Sequence, residues 1–255
     1  MRKLIINADD FGLSEGICRA IYELMELGAI SSTTLMLAAE GAVERCLTWN
    51  IKSLIGRVGV HLQLTDGYPI LPSEQIPSLV NHRTNMFLPK AELANLDPID
   101  VEREWRAQIM MAYEILKGKP SHLDSHHGAH HYPNLSSVFI KLALEFDLPV
   151  RDCTEMNKFN PNLKLAGSDV VLYEWTARGL SSVELQQEIY TAVTNSDNND
   201  ILELVTHPGY SSEKLRTISN LNDLREKDFT SLLSFKETNW LEHNHIQLVN
   251  FCEIY

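Results

Sequence analysis

The chain has little of what several large protein classes require. Its four cysteines, Cys18, Cys46, Cys153 and Cys252, are widely separated and form no Cys-x-x-Cys pair. That excludes a disulfide framework and a thiolate zinc site, and it fits a reducing compartment. No apolar run approaches the roughly 20 residues of a membrane span. The apolar stretch after Met1-Arg2-Lys3 stops within three residues, too short for a signal-peptide core, so the expected location is the cytoplasm. Basic residues are few: 22 Lys and Arg stand against 34 Asp and Glu, a formal charge of −12. With no basic cluster, nucleic acid and anionic membrane are not expected partners. No Gly-x-Gly-x-x-Gly is present to hold a dinucleotide. No Gly-x-Ser-x-Gly elbow surrounds Ser31-Ser32-Thr33-Thr34, so these read as strand and turn residues rather than nucleophiles. Internal repeats and low-complexity tracts are also absent.

What is there is an alternation of short aliphatic runs with longer helical patterns. Strand candidates are 4–8, 32–37, 58–64, 122–125, 149–151, 170–173, 201–206 and 246–251, mostly apolar on both faces, as in a parallel sheet buried under helices. Helix starts are marked by Ser14, by Asp97 followed by Pro98, and by the capping box Ser181-Ser182-Val183-Glu184. Gly28 and Gly118 stand where helices end. Further helices are expected over 135–145 and from Asn222 towards Glu242. The β-α-β-α order implies right-handed crossovers, and eight strands in 255 residues suggest a closed or nearly closed parallel (β/α) barrel of one domain, TIM-like rather than an open doubly wound sheet. Residues 66–97, rich in proline and polar side chains, read as an inserted loop or lid over the site.

Histidine is unevenly spread. Five of the ten (His122, His126, His127, His130 and His131) fall within ten residues. This cluster is one of four polar groups at the C-terminal ends of expected strands. The others are Asn7-Ala8-Asp9-Asp10-Phe11-Gly12, Gly59-Val60-His61-Leu62 and Thr206-His207-Pro208-Gly209. In parallel barrels these ends converge on one cavity. A histidine alone in an apolar run, such as His61, is ordinarily a hydrogen-bonded core residue; the four groups together point elsewhere. One Asp and two His with open positions form the ligand set of a catalytic divalent metal. Where β-structure ends and the chain turns, one of the adjacent Asp9 and Asp10 can bind metal while the other faces a water. His126, first after its strand, is the favoured ligand of the cluster, and Asp124 can hold a ligating imidazole in the correct tautomer. His127, His130 and Arg151 are taken as contacts behind the metal or to substrate. His207 suits a general acid.

With these residues in view, the chain resembles the YdjC-like carbohydrate deacetylases, which include chitooligosaccharide deacetylases. The blocks Asn7–Ser14, Ser31–Thr34, Gly59–Leu62, His122–His127 and His207–Gly209 match in order along nearly the whole sequence. The resemblance implies a distorted (β/α) barrel that hydrolyses an N-acetyl group from an acetylated amino sugar. It implies Asp10, His61 and His126 as metal ligands, Asp9 as general base and His207 as acid. The family often carries three successive histidines after Asp-Ser, whereas Gly128 takes the third place here. The resemblance implies one divalent ion, Mg²⁺, while donor softness also suits Zn²⁺. Two other readings stay open: a different carbohydrate hydrolase, such as one cleaving a phospho-disaccharide, or a metal- or sugar-binding protein without turnover. Oligomeric state is also open, a homo-oligomer included.

Overall fold

The computed structural model describes residues 1–159, 164–173 and 178–254. Its strands are β1 (Arg2–Phe11), β2 (Ser32–Leu35), β3 (Val58–Leu62), β4 (Leu123–Ser125), β5 (Val170–Leu172), β6 (Ile201–Thr206) and β7 (Ile246–Leu248). All pair in parallel, in the order β4-β3-β2-β1-β6-β5, and β7 pairs with the start of β1. The candidate strand 149–151 is not a strand. Val150 makes two isolated parallel bridges, to Leu123 of β4 and to Gly167 just before β5. These bridges complete a distorted ring, so the expected TIM-like barrel is present but one of its staves is a single residue.

The helices are α1 (Glu15–Glu26), α2 (Ala42–Thr48), α3 (Pro98–Leu116), α4 (Pro133–Glu145), α5 (Cys153–Phe159), α6 (Ser182–Asn195), α7 (Glu213–Ile218), α8 (Asp223–Glu237) and α9 (Trp240–His243). Their starts follow local chemistry. Ser14 Oγ accepts from Ile17 N, Asp97 accepts from Ile99 N, and Ser181 and Glu184 form the reciprocal box. Their ends are less obedient. The left-handed residue that stops α3 is Lys117 (φ 56°) rather than Gly118. The expected helix from Asn222 to Glu242 breaks between α8 and α9, where Asn239 is left-handed (φ 52°). Short helices α2, α5 and α7 have too few residues to show a period in the sequence.

α1 buries Ile17, Cys18, Ile21, Leu24 and Met25 against the sheet, the i, i+3/i+4 stripe of a barrel helix. The segment 66–97 is an inserted loop packed on the barrel. Ile76, Leu79, Phe87 and Leu93 are buried in the main core. Glu104 of α3 accepts from Ile70 N (2.9 Å) and Leu71 N (3.1 Å). Those bonds tie the insert to the flank of the barrel.

Candidate active site

Regular strands alternate their side chains between faces, so adjacent Asp9 and Asp10 should diverge. The β1–β2 register slips between Ala8 and Phe11, and Asp10 takes φ 72°. This irregularity turns both side chains into one cavity. A non-glycine residue held there costs on the order of 1–3 kcal/mol and persists only where its surroundings fix it.

Asp10, His61 and His126 meet. His61 Nε2 and His126 Nδ1 each lie 3.5 Å from Asp10 Oδ1, and 3.3 Å from one another. Ligands at ordinary distances from a tetrahedral divalent ion stand about 3.3–3.6 Å apart, so these three donors fit such an ion. Asp10 Oδ1 is buried without a hydrogen-bond partner, which a bound cation would satisfy. Its other oxygen, Oδ2, accepts from Arg225 Nη2 at 2.6 Å. Burial pushes the Asp10 carboxyl up, but Arg225, His126 and His207 together hold the group well below the usual carboxylate range.

Each imidazole is oriented from behind. His61 Nδ1 lies 2.7 Å from Asp124 Oδ1. The carboxylate places the proton on Nδ1 and leaves the Nε2 lone pair for a metal. Thr34 Oγ1 in turn donates to Asp124 Oδ2 (3.1 Å). His126 Nε2 lies 3.3 Å from Asp66 Oδ2, which leaves Nδ1 facing Asp10. Asp66 is the one residue of the 66–97 insert among the described residues that line the cavity.

Asp9 is clamped. Arg151 Nη1 and Nη2 donate to its two oxygens at 2.8 and 2.7 Å, and Asn7 Nδ2 donates at 2.8 Å. Arg151 also reaches Asp124 Oδ2 (2.8 Å) and Glu203 Oε1 (2.7 Å). Burial pushes the Asp9 carboxyl up, but Arg151, His61 and His207 bring it well below the ordinary range. Glu203 moves the other way: burial outweighs Arg151 and pushes it up to about 7. Ser32 Oγ donates to Asn7 Oδ1 (2.6 Å), so the Ser-Thr run braces the site from β2.

His207 Nε2 stands 3.9 Å from Asp9 Oδ2, and its backbone N–H donates to Asp228 Oδ2 at 3.1 Å. Burial pushes this imidazole down to about 4 against the pull of Asp10 and Asp9, so the free protein holds it neutral.

The histidine cluster divides. His127 is left-handed (φ 56°), faces Thr65 Oγ1 at 3.0 Å and lines the cavity. Gly128, next in line, is also left-handed at φ 65°, which accounts for glycine in the place of a third histidine. His130 is buried, 2.5 Å from Ser125 Oγ and stacked on Phe139, a bracing role. His122 stacks on Phe251 with ring centroids 3.6 Å apart, outside the cavity. His131 reaches Tyr173 Oη at 3.3 Å.

The cavity measures about 970 Å³ and opens above these groups. Its far wall runs from Arg216 to Arg225, between α7 and α8. Neither this wall, Asp66 nor Arg225 stood out in the sequence. Only Arg151 carried a signal there, as a cation ending an apolar strand candidate.

The sequence fits the model of the YdjC-like proteins over residues 3–243. A carbohydrate deacetylase of Halalkalibacterium halodurans is 36% identical over 239 residues, covering 92% of this chain and 96% of that one. Another, of Oceanobacillus iheyensis, is 33% identical and covers 93% and 98%. Among solved structures, an Enterococcus faecalis protein described as one for cellobiose-phosphate cleavage superposes with a TM-score of 0.87. It is 28% identical, with 98% of this chain and 97% of that one covered. A peptidoglycan deacetylase of Bacillus subtilis, 11% identical at a TM-score of 0.51 and covering 99% and 89%, shares the fold.

Proposed function

Because the chain belongs to the YdjC-like family, beside relatives that are carbohydrate deacetylases, we propose that it removes the N-acetyl group of an acetylated amino sugar or short chitooligosaccharide. The reading is carried by one observation: Asp10, His61 and His126 offer three donors 3.3–3.5 Å apart, with Asp9 and His207 facing the same cavity. A divalent ion held by those three residues would acidify a water molecule and polarise the acetyl carbonyl. The donor set of one carboxylate and two imidazoles would suit Zn²⁺ on softness as well as the Mg²⁺ that the family resemblance implies.

Asp9 is the base. Arg151 keeps its carboxyl ionised and fixes its direction, so that it takes the water's proton without a change of rotamer. His207, neutral at rest, lies within 3.9 Å of Asp9 Oδ2 and receives that proton. The resulting imidazolium stabilises charge on the acetyl oxygen and passes the proton to the departing amine. Acetate and the free amino sugar are the products.

Incubating the protein with N-acetylated chitobiose and measuring acetate beside sugar-bond cleavage tests the reaction. Acetate release with the glycosidic bond intact is the expected result; cleavage of that bond, or no turnover with any divalent ion, overturns it. Asp9→Asn should keep its metal and lose about 10²–10⁴ in turnover. His61→Ala should lose the metal itself.

A further inference from the structure

Resting on the metal-dependent reading above, we propose that Arg225 is a positioning residue that keeps Asp10 a one-oxygen ligand. The coordination positions that water and the acetyl oxygen need then stay open. The two oxygens of Asp10 have separate surroundings. Oδ1 faces both imidazole nitrogens at 3.5 Å and has no hydrogen-bond partner; Oδ2 is taken by Arg225 Nη2 at 2.6 Å. A carboxylate free at both oxygens can chelate a cation with the pair. Here the guanidinium occupies the second oxygen, so that mode requires a buried charge-assisted bond to break.

Arg225 is itself immobilised. It is 2% exposed, and its Nε donates to Leu221 O at 2.8 Å. Its carbonyl accepts from Gly209 N at 3.2 Å, in the turn that follows His207. Asp228, one turn further along α8, accepts from the His207 backbone N–H. The first two turns of α8 therefore hold the side chain of a metal-ligating aspartate and the backbone of the acid histidine. A role limited to neutralising Asp10 would need none of this bracing. It would also leave coordination number unchanged when a neutral hydrogen-bond donor replaced the guanidinium.

The experiment strips the purified protein with a chelator and titrates Co²⁺ into the parent, Arg225→Gln and Arg225→Lys. Affinity and the visible absorption of the bound ion are both followed. Arg225→Gln should bind about tenfold to a hundredfold more weakly. Its absorption should weaken as Asp10 chelates and the coordination number rises. Arg225→Lys, which keeps a charged donor for Oδ2, should return most of the parental spectrum. A Gln variant with parental affinity and spectrum overturns the proposal. If the Gln variant fails to fold, a folded Lys variant showing the higher-coordinate spectrum overturns it equally. His61→Ala separates the two readings. If the parent takes up no Co²⁺, or His61→Ala binds as tightly as the parent, the metal site itself is wrong. If only the Arg225 variants behave as the parent, the metal site stands and Arg225 has no such role.

Discussion

Arg151 places one positive charge among three buried carboxylates, Asp9, Asp124 and Glu203. Ionised together, they leave an uncompensated negative charge that burial makes costly. Glu203 relieves it by holding a proton into the neutral range, pushed up to about 7 by burial against an ordinary 4.5. A carboxyl with a raised folded-state pKa binds its proton more tightly when folded. Its contribution is intact below about pH 4.5 and is lost as pH climbs through 7, on the order of 3 kcal/mol in all. Glu203→Gln cannot lose what it never ionises. Melting curves from pH 5 to 8 should move steadily in the variant's favour relative to the parent; a constant offset would show that Glu203 does not titrate there. Arg151 has a sharper test. Arg151→Ala strands three acids and should cost about 3–5 kcal/mol. Arg151→Lys should fold yet lose turnover, since an ammonium cannot grip both oxygens of Asp9. Full kcat in the Lys variant would remove the clamp from the mechanism. Little of this charge balance was legible in the sequence, because Glu203 reads there as one polar residue inside an apolar strand.

At the scale of elements, what the sequence declared was where helices begin. Ser14, Asp97 and Ser181 each carry a side-chain acceptor next to an amphipathic run, and each caps as expected. Ends and strands depend on partners elsewhere in the chain. Lys117 and Asn239 accept left-handed backbones that no local signal demanded. Val150 pairs for only one residue, and Arg151, next along the chain, lines the site. The ring closes there against Gly167, where an added Cβ would sit 1.7 Å from Val150 O. Gly167→Ala should therefore separate the two backbones, lower the melting temperature by several degrees and displace Arg151 from Asp9. Turnover should fall further than stability alone explains. A variant that melts with the parent and retains full activity would show that closure at this point constrains nothing.

For the whole molecule, the meeting of four polar groups in one cavity could be expected from sequence because parallel barrels gather strand C-termini at one end, while the separate roles proposed for Asp9 and Asp10 come from the resemblance to the YdjC-like proteins. What could not be foreseen was the bulge that aims Asp9 and Asp10 together, since register is a property of two strands. The site also concentrates part of the −12 charge where a cation should stabilise the fold by mass action. Free ion at a hundred times its dissociation constant adds about 2.7 kcal/mol. Chelation should lower the melting temperature, and zinc should restore it; a melting temperature indifferent to both would argue against a bound ion.

β1 pairs with β2, β6 and β7 and supplies Asn7, Asp9 and Asp10. The stretch that carries the chemistry must therefore wait for its neighbours during synthesis. At 5–20 residues per second, the roughly 200 residues between β1 and β6 take about 10–40 s to emerge. Through that interval an apolar strand has one completed side and backbone groups open to any passing chain. Translation speed and chaperone supply should thus govern the yield of active protein more strongly than its final stability does.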